Sequence, residues 1–340
     1  LRCQVVGEGG NLGFTQRGRI EFALKGGRIN TDAIDNSAGV DTSDHEVNLK
    51  ILLGLVMADG QLDLAQRDAL LAAMSDAVAQ LVLADNILQT QVLSVGGRIA
   101  TKQLEQQARF IRFLERSGKL DRAIEFLPDD ETLAARRARG LGLTTPERAV
   151  LLAYSKMWLR GELMDSDLPE DPWVERELLA YFPAAVSVPY AAVVARHPLR
   201  REIVVTCVLN AMINRVGSTF VHRLVEATGA SAAQVVRAYL LAREVFGLAR
   251  AWEQIDALEN RVDDAILAEL HIEIGRLTLR ATTWFLRSAR LSAPMAATVA
   301  AFAPAAAANT ARLVAAGQGE VTARAWIERG VPEALAQRGA

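Results

Sequence analysis

The sequence predicts a mostly α-helical protein, in which a large helical domain follows the tail of an α/β sheet. Three observations carry that reading. Beyond Val40, apolar residues recur at spacings of three and four almost without relief, the period of an amphipathic helix. The punctuation there also belongs to helices. Thr145-Pro146-Glu147 and Asp171-Pro172 each put a capping side chain before a first-turn proline, and Gly229 closes one helix before Ser231-Ala-Ala-Gln234 opens the next with a capping box. Residues 1–40, by contrast, are glycine-rich and carry two short strand-like runs.

Taken in order, Arg2–Val6 reads as a strand, followed by a glycine loop (Gly7, Gly9, Gly10, Gly13). Arg17–Leu24 is a short helix stopped by Gly26-Gly27, and Arg28–Ile34 is a second strand. Strand–loop–helix–strand is the idiom of an α/β sheet. A unit this short cannot bury its own faces, so the pattern predicts further strands before Leu1. The first residue is not methionine and no charged-then-apolar leader follows it, so the chain reads as starting inside a longer polypeptide. Helices are predicted over 41–58, 64–84, 86–116, 146–160, 172–181, 199–227, 232–246, 248–257, 260–288 and 305–338, the last with a break. No fixed-period repeat supports a solenoid. The division is therefore 1–40 as the sheet tail, 41–60 as a connecting helix and 61–340 as a helical carboxy-terminal domain. In the 199–227 helix, Ile203, Val204, Val205, Val208, Leu209, Met212 and Ile213 wrap most of the surface, which puts it at the centre of the helical core. Its polar stripe, Thr206, Asn210 and Asn214, carries no titratable residue. It reads as buried hydrogen bonding to a neighbouring helix rather than as a ligand groove.

Composition removes several functional classes. With 51% hydrophobic residues and a net charge of −2, the 340-residue chain is not intrinsically disordered. Lys+Arg 38 against Asp+Glu 40 leaves no basic excess to drive nucleic-acid binding. Two cysteines, Cys3 and Cys207, exclude a disulfide scaffold and suit a reducing, cytoplasmic compartment. The four histidines share no zinc-site spacing, so no metal site is expected. Leu178–Ala195 and Leu291–Ala311 are uncharged and long enough for a bilayer. Pro183 and Pro189 break the first run and Pro294 and Pro304 the second, as suits buried helix ends better than a membrane span.

Two segments carry the candidate chemistry. Gly7-Glu8-Gly9-Gly10-Asn11-Leu12-Gly13 invites a dinucleotide fingerprint, but Leu12 stands where the third glycine belongs and the helix waits until about Arg17. A phosphate cradle is not supported. A loop at the carboxyl end of a strand is still a place where α/β sheets bind ligands, and Asn11 could offer its amide to a ribose or nicotinamide there. The alternative is a plain glycine turn with Asn11 left-handed. In the second segment, Asp35 to Glu46, Ser43-x-x-Glu46 fits a capping box. It equally fits a hydroxyl aimed at a substrate carboxylate at a helix start, where the dipole favours an anion. Asp41, Asp44 and Glu46 read as first-turn carboxylates, and His45 as packed or solvated rather than catalytic. Beyond residue 60 no catalytic motif is legible. Arg136-Arg137-Ala-Arg139 and Arg196-His197-Pro-Leu-Arg200-Arg201 read as solvated or ion-paired clusters.

Val6-Gly-Glu-Gly-Gly-Asn-Leu-Gly-Phe-Thr-Gln16 and Gly27-Arg-Ile-Asn-Thr-Asp-Ala-Ile-Asp-Asn-Ser-Ala-Gly-Val-Asp-Thr-Ser-Asp-His-Glu-Val-Asn48 resemble the large bacterial NAD-specific glutamate dehydrogenases. Leu143–Val150, Leu179–Pro183, His197–Ile203, Asn214–Leu224, Thr228–Ser231 and Ala238–Phe246 are similar to the carboxy-terminal helical region of the same family. The resemblance implies that residues 1–40 end a Rossmann-like, NAD-binding domain. In the smaller glutamate dehydrogenases a Glu-Gly-Ala-Asn loop meets the nicotinamide ribose, which carries over to Gly10 and Asn11. An Asn-Ala-Gly-Gly-Val segment carries over to Asn36, and the substrate-carboxylate serine falls on Ser43. The implied reaction is oxidation of L-glutamate by NAD and water to 2-oxoglutarate, ammonium and NADH, within glutamate catabolism and by a homo-oligomer. The family's catalytic lysines, aspartate and phosphate loop have no counterpart here. No catalytic residue is therefore expected in this chain, which should be inert alone. Neither Lys25 nor Lys50 is expected to be a catalyst. The competing expectation is a helical interaction or regulatory domain serving assembly or allosteric control.

Overall fold

A computed structural model describes residues 1–288 and 291–339 (of Arg338, the backbone). The chain is mostly helical and falls into two compact units, Leu1–Thr219 and Phe220–Ala340. The units meet inside the stretch expected to be one helix, whereas the division drawn from composition lies at 40 and 60.

The first unit contains α1 (Gln16–Leu24), α2 (Asp32–Asp35), α3 (Ser37–Ala58), α4 (Leu64–Ala73), α5 (Ser75–Arg98), α6 (Ala100–Arg116), α7 (Asp130–Ala138), α8 (Thr145–Met164), α9 (Glu175–Tyr181), α10 (Ala184–Ser187), α11 (Ala191–Val194) and α12 (Arg200–Val216). Its core is α12, whose predicted apolar residues are all buried, packed on α5, α8 and α9. α3 packs on α5, and its Leu49, Leu52, Leu53 and Val56 are each at most 3% exposed. Burying such a side chain is worth about 1.5–3 kcal/mol, so this seam is stiff enough to carry a site on its polar flank. The second unit contains α13 (Phe220–Thr228), α14 (Ala232–Val245), α15 (Leu248–Asp256), α16 (Asp264–Ser288), α17 (Met295–Ala315), α18 (Glu320–Glu328) and α19 (Glu333–Gly339). There α14, capped by Ser231 and Gln234 as expected, is buried nearly all round and packs on α13, α15, α16 and α17.

Several expectations are corrected. The two strand-like runs form one parallel bridge, Val5 with Arg28, made by Val6 N–H to Arg28 O (2.9 Å) and Arg28 N–H to Gln4 O (2.8 Å). No strand forms among the described residues. The ladder stops because the chain turns into α2 directly after Thr31. The 199–227 helix breaks at Gly217, whose φ of +83° no L side chain adopts cheaply. Asn214 is buried, and its amide has no hydrogen-bond partner among the described residues, against the expected buried bonding of that stripe. The helices predicted over 64–84 and 86–116 re-divide at Met74 and Ile99, each ending one helix and beginning the next. α7 was not predicted; Asp129 caps it by accepting from Thr132 N–H at 2.8 Å. Leu178–Ala195 breaks into short helices at its prolines. Pro304, however, lies inside α17, where the exposed carbonyl of Ala300 that it leaves unbonded can meet solvent. No single helix among the described residues is long and apolar enough to cross a membrane.

Candidate functional site

The glycine loop is fixed by carboxylates. Glu8 is buried and takes both arms of Arg19, Nε to Oε2 at 2.6 Å and Nη2 to Oε1 at 2.9 Å. Glu8 Oε1 also accepts from Phe14 N–H (2.9 Å), while Glu8 N–H donates to Asp35 Oδ2 (3.0 Å). Asp32 accepts from Leu12 N–H (2.8 Å) and pairs with Arg19 at 3.3 Å. Asn30 Nδ2 donates to Asp35 Oδ1 at 2.8 Å. The hydrogen bonding it donates to Glu8 is the main reason the Arg19 guanidinium holds its proton even more firmly than usual. Burial pushes the Asp32 carboxyl up, but the N–H groups of Leu12 and Ala33 and the Arg19 charge outweigh it and hold the group below its ordinary range. Both ends of the loop are thus anchored by charge-assisted bonds, roughly twice as strong as neutral ones.

That anchoring presents the predicted residues. Gly10 is exposed, with open space where a Cβ would stand. Asn11 is exposed, and its Oδ1 accepts from Asn36 Nδ2 at 2.7 Å, across 25 residues of sequence. The left-handed residue of the loop is Leu12 (φ +57°), not Asn11. Asn36 precedes α3 but makes no side-chain capping bond to it; its Nδ2 donates to Asn11.

Ser43 is not at a helix start. Asn86 on α5 donates to Ile34 O and to Ser37 Oγ (both 3.0 Å) and pins the chain so that α3 begins at Ser37. Ser43 therefore sits in the second turn, exposed, its hydroxyl donating to Gly39 O and Val40 O at 3.0 Å. Neither a capping box with Glu46 nor help from the helix N-terminus applies to it. Glu46 pairs with Lys50, and Asp41 and Asp44 are likewise beyond the first turn.

The opposite face of α3 carries a second charged cluster. At 100° per residue, Asp41, His45 and Asn48 lie together and Ser43 lies across the helix from them. One ligand-type atom from each of Asp41, His45 and α5's Asp85 lies within 4.8 Å of the others. Lys156, on α8, faces both carboxylates, and burial lowers its ammonium to about 8. Burial raises the Asp41 and Asp85 carboxyls, and repulsion from Asp44 adds to it at Asp41 and repulsion from Asp41 at Asp85. His45, 3% exposed, stacks on Tyr181 with ring centroids 4.4 Å apart, so it is packed as expected, and burial lowers its pKa. The Tyr181 hydroxyl donates to Asp44 Oδ2 (2.8 Å) and accepts from Asn48 Nδ2 (2.9 Å). His197 is held by Leu199 N–H on Nδ1 (3.1 Å) and bonds Asn48 O through Nε2 (3.2 Å).

Two family models and several relatives match the chain. The family model described as glutamate dehydrogenase, C-terminal, matches residues 140–340. The chain belongs to that family. A second model, the catalytic domain of bacterial NAD-glutamate dehydrogenase, matches residues 1–96 and so covers the glycine loop, α3 and most of α5. The chain is 45% identical over 99% of its length to the NAD-specific glutamate dehydrogenase of Halomonas elongata. The corresponding figures are 46% for that of Pseudomonas aeruginosa and 38% for that of Mycobacterium tuberculosis, again over 99% of the chain. The chain spans 21% of the length of each of these relatives.

Within this member of the glutamate dehydrogenase C-terminal family, the structure brings Asn11 and Asn36 together at the rim of the loop holding Gly10, and leaves Ser43 exposed on the helix that follows. Sequence reasoning missed Glu8 and Arg19, which hold the loop, and the cluster of Asp85 and Lys156. No local signal separated Arg19 from Arg17 on the same short helix, so the first was not legible. No local signal announced the second, whose members come from three helices. The arginine clusters resolve into ion pairs: Arg136 with Glu147 (2.6 Å), Arg196 with Asp59 (2.5 Å), and Arg200 and Arg201 with Glu170 (2.7 and 2.9 Å).

Proposed function

We propose that this chain is a portion of an NAD-dependent glutamate dehydrogenase, converting L-glutamate, NAD and water to 2-oxoglutarate, ammonium and NADH. Residues 1–40 are then the carboxy-terminal tail of the NAD-binding α/β domain, 41–60 the helix returning toward the substrate domain, and 61–340 the helical carboxy-terminal domain. Gly10 lets the backbone approach the cofactor, since it carries no side chain on an open face. Asn11 and Asn36 address the nicotinamide ribose as one unit. Ser43 donates to the substrate carboxylate by rotating its hydroxyl away from two backbone carbonyls that do not depend on it. The enzyme is a cytoplasmic homo-oligomer. Hydride transfer, the proton-transfer groups and the cation for the α-carboxylate are supplied by residues outside this chain.

The observation that carries this reading is the 2.7 Å bond between Asn36 and Asn11. A glycine turn with no ligand to address has no need of an exposed, long-range amide pair held in place by buried charges. Asn36→Ala in the longer relative-length protein should raise the KM for NAD about tenfold and leave that for glutamate nearly unchanged, as loss of one positioned hydrogen bond predicts. Unchanged NAD kinetics would overturn the assignment. Purified 1–340 should give no glutamate-dependent NADH above a buffer blank.

A further inference from the structure

We propose that Asp41, His45 and Asp85 form a binding site for one divalent transition cation of the zinc class, which ties α3 to α5. Asp41 and His45 stand one helical turn apart on the same face, the spacing at which two side chains of a helix can chelate one ion. Asp85 closes the set from a different helix. The three donor atoms already lie within 4.8 Å of one another. Ligands around tetrahedral zinc are roughly 3.4 Å apart, so a small rotation of two carboxylates completes the geometry.

Two further observations point to a ligand rather than to a self-contained ion cluster. His45 is 3% exposed and its Nδ1 has no hydrogen-bond partner among the described residues; Asp41 Oδ2 is likewise buried and unmatched. Buried polar atoms of this kind are otherwise nearly always satisfied. The groups facing the trio include Lys156 from α8, Asp44, which precedes His45 on α3, the stacked Tyr181 from α9, and the Cys207 thiol from α12. Lys156 supplies one positive charge against two carboxylates, which leaves room for a dication. One imidazole with two carboxylates suits zinc or manganese over magnesium, which takes oxygen donors. The site is independent of the cofactor and substrate assignments above, because Ser43 lies on the other face of α3.

Calorimetric titration of the 340-residue chain with Zn²⁺ alone tests this. One ion per chain is expected, with Mg²⁺ giving no comparable heat. Asp85→Asn, which keeps the shape of a half-buried side chain, should weaken Zn²⁺ binding by more than about a hundredfold, since even indirect partners of a metal are worth 10–100-fold. Lys156→Met removes the competing charge and should tighten binding about tenfold. A purely structural ammonium would not do that. Cys3→Ser should change nothing. Absence of saturable one-to-one uptake, uptake unaltered in Asp85→Asn, or loss of uptake in Lys156→Met would each overturn the proposal.

Discussion

Around Arg19 two carboxylates, Glu8 and Asp32, share one guanidinium and Asp35 stands beside them, and all six oxygens of the three accept a hydrogen bond: those of Glu8 from Arg19 and Phe14, those of Asp32 from Leu12 and Ala33, those of Asp35 from Glu8 and Asn30. Around Lys156 two carboxylates face one ammonium with an imidazole beside them, and Asp41 Oδ2 and His45 Nδ1 stay unmatched. The residue types are alike, and the difference lies in how many donors the local backbone supplies. The glycine loop turns its own N–H groups inward onto Glu8, Asp32 and Asp35. The second cluster hangs from the sides of helices, whose N–H groups are already spent on the helix ladder. A complete cluster holds structure; an incomplete one keeps capacity for something else.

Arg19→Met breaks the complete cluster and should have the largest effect. It strands the buried Glu8 carboxylate, for which a cost of about 3–5 kcal/mol is typical. Because the segment before α3 is tied mainly by these bonds, the loss should appear as fast amide exchange of residues 8–14 rather than as global melting. If those amides stay protected, the apolar packing of α1 on α8 holds the loop and the charges are incidental.

Lys156→Met without added cation tests the incomplete cluster. It leaves Asp41 and Asp85 facing each other, and since both are partly exposed the expected loss is about 2–3 kcal/mol, below the fully buried figure. Urea unfolding at pH 7.5 reads it, and a stability equal to the parent would mean the carboxylates do not need the ammonium.

Ser43→Ala comes next and contrasts the exposed face of α3 with the charged one. In the longer protein the KM for glutamate should rise about ten- to hundredfold, the 1.5–3 kcal/mol of a bond to a charged group. The melting temperature of the chain should hold or rise slightly, because alanine is the better helix former by about 0.5 kcal/mol. A falling melting temperature with normal glutamate kinetics would return Ser43 to a purely structural role.

What the residues disclosed follows the same division. The Gly10-Asn11 loop and Asn36 to Ser43 are contiguous, so a motif could expose them, and helix periodicity exposed most of α1, α3, α8, α12 and α14. Helix starts were less legible: α3 begins at Ser37 because of Asn86, a residue far along the chain that no local capping rule weighs. Gly217 ends α12 through a backbone conformation, against an apolar pattern that runs on past it. The trio of Asp41, His45 and Asp85 exists only once α5 lies against α3, and no motif in the sequence marks Lys156 on α8.

The smallest expected effect concerns acid stability at the edge of the second cluster. His197 accepts Leu199 N–H on Nδ1, so its proton sits on Nε2 and points at Asn48 O. Charging the ring would cost the bond from Leu199, and burial already lowers its pKa below the ordinary 6.5. Below that value the unfolded chain binds a proton that the folded chain resists, so stability falls as pH drops. His45 acts in the same direction. Asp41 and Asp85 act oppositely: their raised folded pKa values let the folded chain take protons first, which offsets part of the loss at lower pH. A single pH curve therefore mixes signs, and a variant is needed to separate them. His197→Gln should be less stable than the parent at pH 7.5, with the gap narrowing steadily between pH 6.5 and 5 as the parent loses what the variant never had. A gap that stays constant across that range would mean His197 titrates as it does in the unfolded chain.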